Sequence, residues 1–342
     1  MLFGVKRYWV LLCVLCMFGS AVKADDRQHV IVLETMTAPI VQQFTKAFLD
    51  ELPRLGYSDS EIEITRLNAD GNADRAKSLL ADEIGRSKPD LVVSVATLAS
   101  KVAKEQLAST EMPLVFMCVT DPVGAGLIDE IGVADGQPIT GKAHYVPVGV
   151  KIDLVMRVLR SAKPDQSIVR FGYIYTDYSA DLSDLKRLQA AVSDKAEIEF
   201  VPFKIPYRPV NENKDYLLSQ IAMGVDALDS KVDFFWAPRG ALAVLPEYDE
   251  IILDQAQSPL LVGATEASVE KGALLHITAD PVAQGVDVAL IVQKILQGES
   301  VRAIPSSLAG KLQFSINLKT AIKNRLVISS DMLELAGDKV YR

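Results

Sequence analysis

The sequence is poor in cysteine and histidine and has no surplus of positive charge. Three Cys and three His occur in 342 residues. Three thiols are too few to frame a small secreted scaffold with disulfides. Thirty-six Lys and Arg against 44 Asp and Glu give a net charge of −8, the wrong sign for a chain that tracks a phosphate backbone. Twenty Gly and 16 Pro are too sparse for collagen-like or low-complexity sequence. Beyond the N-terminus no apolar run reaches the roughly twenty residues that span a bilayer. What is present is 49% hydrophobic and 23% charged, enough to bury a real core, on a length that predicts two domains rather than one.

The N-terminus reads as an address. Lys6 and Arg7 precede an apolar run over 8–22, Val22-Lys23-Ala24 offers small residues at a cleavage site, and Asp25-Asp26 follow. This is the three-part pattern of a secretory signal over 1–24. An uncleaved anchor is the alternative, against which the run is short. A lipoprotein signal fits less well, because Leu15 precedes Cys16 where a small residue is expected. Cleavage after Ala24 would remove Lys6, Arg7 and Lys23, lowering 36 basic residues to 33 against 44 acidic, a net −11. It would also remove Cys13 and Cys16 and leave Cys118 as the single thiol. The expectation is an exported chain without an internal disulfide.

Two rounds of strand–helix alternation follow. Short apolar runs over 29–33, 61–67, 91–96 and 114–119 predict strands. Ile40, Phe44, Phe48, Leu52 and Leu55 fall at helical spacing before Gly56, Asn72 can cap a second helix, and Thr97 can cap a third. After a Gly- and Pro-containing stretch over 136–147, strands are predicted over 169–175, 197–205, 232–237 and 260–264. Helices are predicted at Leu182, Leu185, Leu188 and Val192, over 217–228, and over 248–257. Asp280-Pro281 starts a last long helix that ends at Gly298. Repeated β-α-β units predict an α/β chain of two Rossmann-like lobes with parallel sheets.

In such sheets ligands sit beyond the carboxyl ends of the strands, where helix N-termini present free N–H groups. Those ends carry Glu34, Thr35 and Thr37, then Thr97 and Ser100, then Thr120 and Asp121. The second round adds Thr176, Asp177, Tyr178 and Ser179, then Arg239, then Thr265 and Glu266. Hydroxyls at helix starts suit a carboxylate, and a carboxylate on the facing lobe suits an ammonium group. The same residue types also serve as plain helix caps and turns. From this set the candidate ligand-binding residues are Thr35, Thr97, Ser100, Thr120, Asp121, Asp177, Tyr178, Ser179, Arg239 and Glu266.

Catalytic templates fail. Gly136-Gln-Pro-Ile-Thr-Gly-Lys142 has most of a phosphate-binding loop, but Ala143 stands where Ser or Thr must hold magnesium. Gly124-Ala-Gly126 starts a dinucleotide fingerprint that Asp129 breaks, and no G-x-S-x-G elbow exists. His29, His144 and His276 lack metal-ligand spacing, with packing the expected role for His29 and His276. Cys118 lies in an apolar strand and reads as an inert core thiol. Trp236 ends a strand, in the core or stacked in a ligand cleft. No catalytic residue, metal or cofactor is predicted.

The run Pro113-Leu-Val-Phe-Met-Cys-Val-Thr-Asp-Pro-Val-Gly-Ala-Gly-Leu127 resembles the central signature of ABC-transporter substrate-binding proteins of the tryptophan/tyrosine-binding type. Val93-Ser-Val-Ala-Thr97, Pro138-Ile-Thr-Gly141, Lys294-Ile-Leu-Gln-Gly-Glu299 and Phe314-Ser-Ile-Asn317 add to the resemblance, which covers the chain past its signal. It implies a type I periplasmic-binding architecture with a hinge of three crossings. The first lobe would hold 25–143 with about 278–310, and the second 144–277 with about 311–342. Thr97, Thr120 and Asp121 match first-lobe motif positions, and 175–179 match a second-lobe loop. Where relatives carry a polar turn with Asp, this chain has Ala237-Pro238-Arg239-Gly240, and the usual Asn near Tyr178 is absent. Arg239 favours an acidic ligand group or pairs with a neighbouring carboxylate.

The resemblance implies a monomeric periplasmic protein, not an enzyme, that captures an amino acid or related small organic acid for the permease of an ABC importer. A sensory binding protein that docks its ligand-bound form to a membrane kinase or cyclase is the alternative. No nucleic-acid partner is expected.

Overall fold

The computed structural model describes residues 27–342 apart from 135, 162–165, 240–241, 243–244 and 258–259, so the signal reading and Cys13 and Cys16 lie outside the described residues. Strand β1 (Gln28–Glu34) sends Val30 and Val32 to one face and Ile31 and Leu33 to the other. All four are fully buried, as a strand covered by helices on both sides requires. It is followed by α1 (Pro39–Glu51), β2 (Ile62–Asn68), α2 (Ala73–Ser87), β3 (Leu91–Val95), α3 (Thr97–Leu107), β4 (Leu114–Val119) and β5 (Ile139–Ala143). These strands pair in parallel in the order β2-β1-β3-β4-β5, with β11 (Ser307–Leu308) added beside β5.

The second sheet begins after α4 (Val148–Arg160), a helix in a stretch to which the strand–helix reading gave no element. Its elements are β6 (Val169–Thr176), α5 (Ser179–Val192), β7 (Ile198–Ile205), α6 (Val210–Leu228), β8 (Phe234–Trp236), α7 (Pro246–Gln255), β9 (Leu261–Val262), α8 (Glu266–Lys271) and β10 (Leu275–Ala279). After α9 (Pro281–Leu296) and β11, the tail supplies β12 (Leu312–Asn317), α10 (Leu318–Lys323), α11 (Ser330–Ala336) and β13 (Val340–Tyr341). The strand order is β13-β12-β10-β9-β8-β6-β7. All pairs are parallel except β10 with β12, where the returning tail runs antiparallel.

Three passages join the sheets: β5 to α4, β10 to α9, and β11 to β12. They are tied to their surroundings by hydrogen bonds. His144 N–H donates to Val119 O at 2.7 Å, Gln284 Nε2 to Ala143 O at 2.6 Å, and Asp280 N–H to Lys311 O at 2.9 Å. The helix α9 lies against α1 of the first lobe so closely that a Cβ on Gly285 would sit 2.7 Å from both Ala47 Cβ and Phe44 O. Gly141 answers a different need: a Cβ there would lie 2.2 Å from Phe116 O, beside the irregular register between β4 and β5. The run that imitates a phosphate-binding loop is therefore mostly strand β5, with its second glycine fixed by packing.

Candidate ligand-binding cleft

A cavity of about 520 Å³ opens between the lobes. The first lobe contributes Pro39, Ile40 and Gln43 from the start of α1, with Pro281 from the start of α9. The second contributes the carboxyl ends of β8 and β9, with Trp236, Ala237, Arg239 and Gly263, the start of α8 with Thr265 and Glu266, and part of β10 with His276, Ile277 and Thr278. His144, Lys151 and Gln313 complete the wall. A smaller recess of about 20 Å³ adjoins it, lined by Thr120, Tyr145, Asp184, Arg187 and again Lys151, Trp236 and Arg239.

Of the ten residues predicted from strand ends, Arg239 and Glu266 line the cavity and Thr120 and Arg239 line the recess. The others have different surroundings. Thr35 is buried and bridges β3 to α3: its hydroxyl donates to Val95 O at 3.0 Å and accepts from Ala99 N–H at 3.1 Å. It thereby does the capping expected of Thr97, which is instead the first helical residue after an Ala96 N-cap with φ +71°. Ser100 is fully buried, its hydroxyl donating to Ala96 O at 2.9 Å with Ser94 Oγ beside it. A helical Ser commonly bonds back to the preceding turn, and that geometry takes this one away from the cleft.

Asp121 folds back on its own loop. Its Oδ1 accepts Gly124 N–H at 2.8 Å, so the Asp-Pro-Val-Gly signature is a closed turn in which a Cβ on Gly124 would meet the Asp121 carboxylate. Its Oδ2 lies 3.4 Å from Arg187 Nη1 of α5, an ion pair that reaches across the cleft. Asp177 accepts Tyr207 N–H at 2.7 Å, and the Tyr178 ring packs on Tyr207 with centroids 4.9 Å apart. Ser179 is the first residue of α5. None of Thr35, Thr97, Ser100, Asp121, Asp177 or Tyr178 lines the cavity.

The residues that strand ends do not reveal are Lys151, Asp184, His144, His276 and Gln313. Lys151 and Asp184 leave a trace in the sequence. Val148, Ile152, Val155 and Leu159 mark the buried stripe of α4, and Lys151 falls on it, 8% exposed. On α5 the expected apolar face is rotated: Leu182 is exposed, while Asp181 and Asp184 turn inward with Leu185 and Leu188. Asp184 accepts the Tyr173 hydroxyl at 2.9 Å, and Asp181 accepts Thr176 N–H at 3.1 Å.

Charge in the cleft is set by burial. Burial first, and the neighbouring Arg239 charge second, push the Lys151 ammonium down to about 7, with Asp184 acting in the opposite sense. Arg239 is exposed to solvent and lines the concave wall. Partial loss of solvent lowers the guanidinium, and Asp184 offsets part of that. His144 and His276 are both lowered to about 4, chiefly by burial, so they are neutral imidazoles at pH 7. His276 Nδ1 lies 3.0 Å from Gly263 O, and His144 Nε2 lies 3.4 Å from Thr278 Oγ1. Burial would raise Glu266, but hydrogen bonds from Tyr341, Lys339 at 2.9 Å and Gln313 at 2.9 Å outweigh it and hold the carboxyl below its usual range. The thiol of Cys118, at a φ of +59° beside the β4 irregularity, is pushed up to about 12 by burial and is no nucleophile at neutral pH.

The wall thus offers cationic donors, neutral imidazoles and apolar surface, without a base poised on a nucleophile. Among the described residues no group of His, Cys, Asp and Glu is arranged to hold a metal ion, and no helix is long and apolar enough to cross a membrane.

Known proteins share this organisation. Residues 29–340 match the family described as ABC transporter substrate binding protein. A tyrosine-binding protein of Clostridioides difficile (strain R20291) is 24% identical over 324 residues, 93% of this chain and 86% of that protein. An ABC domain from Streptococcus pneumonia, solved in complex with L-Trp, is 22% identical with a TM-score of 0.66, covering 92% of this chain and 99% of the other. A ligand-free, open substrate-binding protein with adhesive properties from Clostridium difficile is 20% identical with a TM-score of 0.75, covering 92% and 98%. The two structures establish the two-lobed α/β fold, and the match over 29–340 establishes the family. This chain belongs to the ABC transporter substrate-binding proteins, which bind their ligands without transforming them.

Proposed function

We propose that the protein is exported to the periplasm, captures an amino acid or a related small organic acid between its lobes, and hands it to the permease of an ABC importer. The observation that carries this reading is the cleft cavity, about 520 Å³ and walled by both lobes. That volume falls within the roughly 300–1,000 Å³ of small-molecule sites, and its lining combines polar and charged side chains with apolar surface. The lobes are taken to divide at the three passages, with 25–143 and about 278–310 in the first and 144–277 and about 311–342 in the second. Because α1 and α9 face α8 and β10 across the cavity, a ligand touching both sides favours closure through its higher affinity for the closed form. Thr120, Arg239 and Glu266 are the strand-end residues assigned to the ligand, joined by Lys151, Trp236 and Gln313.

Isothermal titration against amino acids and small organic acids tests the reading. One molecule bound per monomer is expected, and no binder across such a panel would contradict it. A pull-down of the ligand-loaded protein from solubilised membranes tests the partner: a permease supports import, and a sensor kinase or cyclase overturns it.

A further inference from the structure

Two basic side chains, Lys151 and Arg239, face the cleft without an ion-pair partner, and the charge of Asp184 acts on both. Lys151 occupies a position on α4 that the helical period reserves for an apolar side chain, and it is 8% exposed. Among the described residues its ammonium has neither an ion pair nor a hydrogen bond, and the same holds for the Arg239 guanidinium. Both side chains line the cavity and the recess beside it. The two nearby carboxylates offset them only in part. Asp184 is engaged by the Tyr173 hydroxyl and pairs with neither cation, and Glu266 is held by Lys339, Tyr341 and Gln313. A buried charge without an ion pair is costly, so a protein that keeps Lys151 at a cavity wall gains when an anion arrives.

We infer that Lys151 and Arg239 together hold the anionic group of the ligand, and that the ligand is a small organic acid with an apolar body and no ammonium group. This rests on the reading of the cleft as a solute-binding site. Arg supplies a planar fork and Lys a point charge, a pairing that suits one carboxylate approached from two sides. The rest of the wall fits the other end of such a molecule, with Ile40, Trp236, Ala237, Val262 and Ile277 presenting apolar surface. An amino acid would bring an ammonium group that needs an acceptor, and the two carboxylates beside the cavity, Glu266 and Asp184, are both engaged already, Asp184 between two cationic side chains.

Capture is linked to protonation. The charged and titratable groups that share a wall with Lys151 are Arg239 after β8, Asp184 and Arg187 on α5, Tyr145 and His144 on the passage before α4, Glu266 on α8 and His276 on β10. With both imidazoles neutral and Arg239 beside it, the ammonium is only partly protonated near pH 7, and a bound anion draws the proton on. Affinity therefore falls as pH rises from 6 to 9.

The test compares matched pairs by calorimetry on the exported chain: indole-3-acetate against tryptophan, 4-hydroxyphenylacetate against tyrosine, and hexanoate against leucine, with inorganic phosphate as a bare anion. At least one acid is expected to bind tenfold or more tighter than its amino acid, with proton uptake at pH 8. Lys151→Met and Arg239→Gln are each expected to weaken that acid at least tenfold. Arg239 is water-accessible, so Arg239→Gln keeps the test open if Lys151→Met fails to fold. Tighter binding of the amino acids, or acid binding untouched by both substitutions, overturns the anion inference and leaves solute capture standing. Phosphate binding as tightly as the acids overturns the apolar-body part. Failure of every probe, with no small molecule released on denaturing fresh protein, overturns both.

Discussion

The balance of the cleft rests on side chains whose ionisation folding has altered, and their effects on stability have definite signs. Lys151 is lowered to about 7 in the folded state against about 10.4 in the unfolded chain. Between those values the unfolded chain holds a proton that the folded chain lacks, so stability rises with pH, by up to about 1.4 kcal/mol per unit. The penalty is fully present below pH 7. Denaturant titration of ligand-free protein at pH 7 and 9 should show this rise, and Lys151→Met should abolish it while adding roughly 1–3 kcal/mol at pH 6. The histidines act on the acid side. His144 and His276 are lowered to about 4, so from pH 6.5 down to 4 the unfolded chain takes up protons first and stability falls. Replacing both with Gln should flatten that acid limb. Lys151 was legible in principle, since a lysine on the apolar stripe of a helix contradicts its own periodicity. The histidines were not, because an isolated imidazole carries no signal until the chain passages bring it to a cavity.

At the scale of elements, much of the α/β pattern could be read because buried strands and amphipathic helices have different periods. Three features escaped. Helix α4 was missed although Lys151 is the one charged residue on its buried stripe. The face of α5 was misjudged because Asp181 and Asp184 are buried through hydrogen bonds to Thr176 and Tyr173, while Leu182 is left outside. The antiparallel strand β12 depends on a return from the other sheet that no local pattern encodes. Six of the ten candidate ligand residues, Thr35, Thr97, Ser100, Asp121, Asp177 and Tyr178, line neither the cavity nor the recess for a related reason: Ser, Thr and Asp at strand ends serve helix caps and ligands alike, and only geometry separates the two. The glycine contacts are testable. Gly285→Ala would drive a methyl onto Ala47 and the α1 backbone, separating α9 from α1 at a cost of about 1–3 kcal/mol. A melting temperature lowered by several degrees is expected, and an unchanged one would mean that the helices can part freely.

At the scale of the whole molecule, the lobes touch across the cleft through the Asp121–Arg187 pair. Both side chains are substantially exposed, so the pair is worth at most about 1 kcal/mol and weakens with salt. Arg187→Ala should change ligand affinity by no more than about fivefold, and the difference from the parent should shrink in 0.5 M salt when both are titrated. A larger, salt-insensitive loss would move Arg187 from the lobe contact into the binding site. The composition also acquires a local meaning. A chain of net charge −8 places two basic side chains, Lys151 and Arg239, on its cleft wall without ion-pair partners.

The most direct test of cleft capture is native mass spectrometry of freshly purified protein, with and without Arg239→Gln. The account predicts one small organic acid released per monomer from the parent, and its loss or sharp depletion in the variant. Release of an amino acid at equal occupancy from both proteins would contradict it.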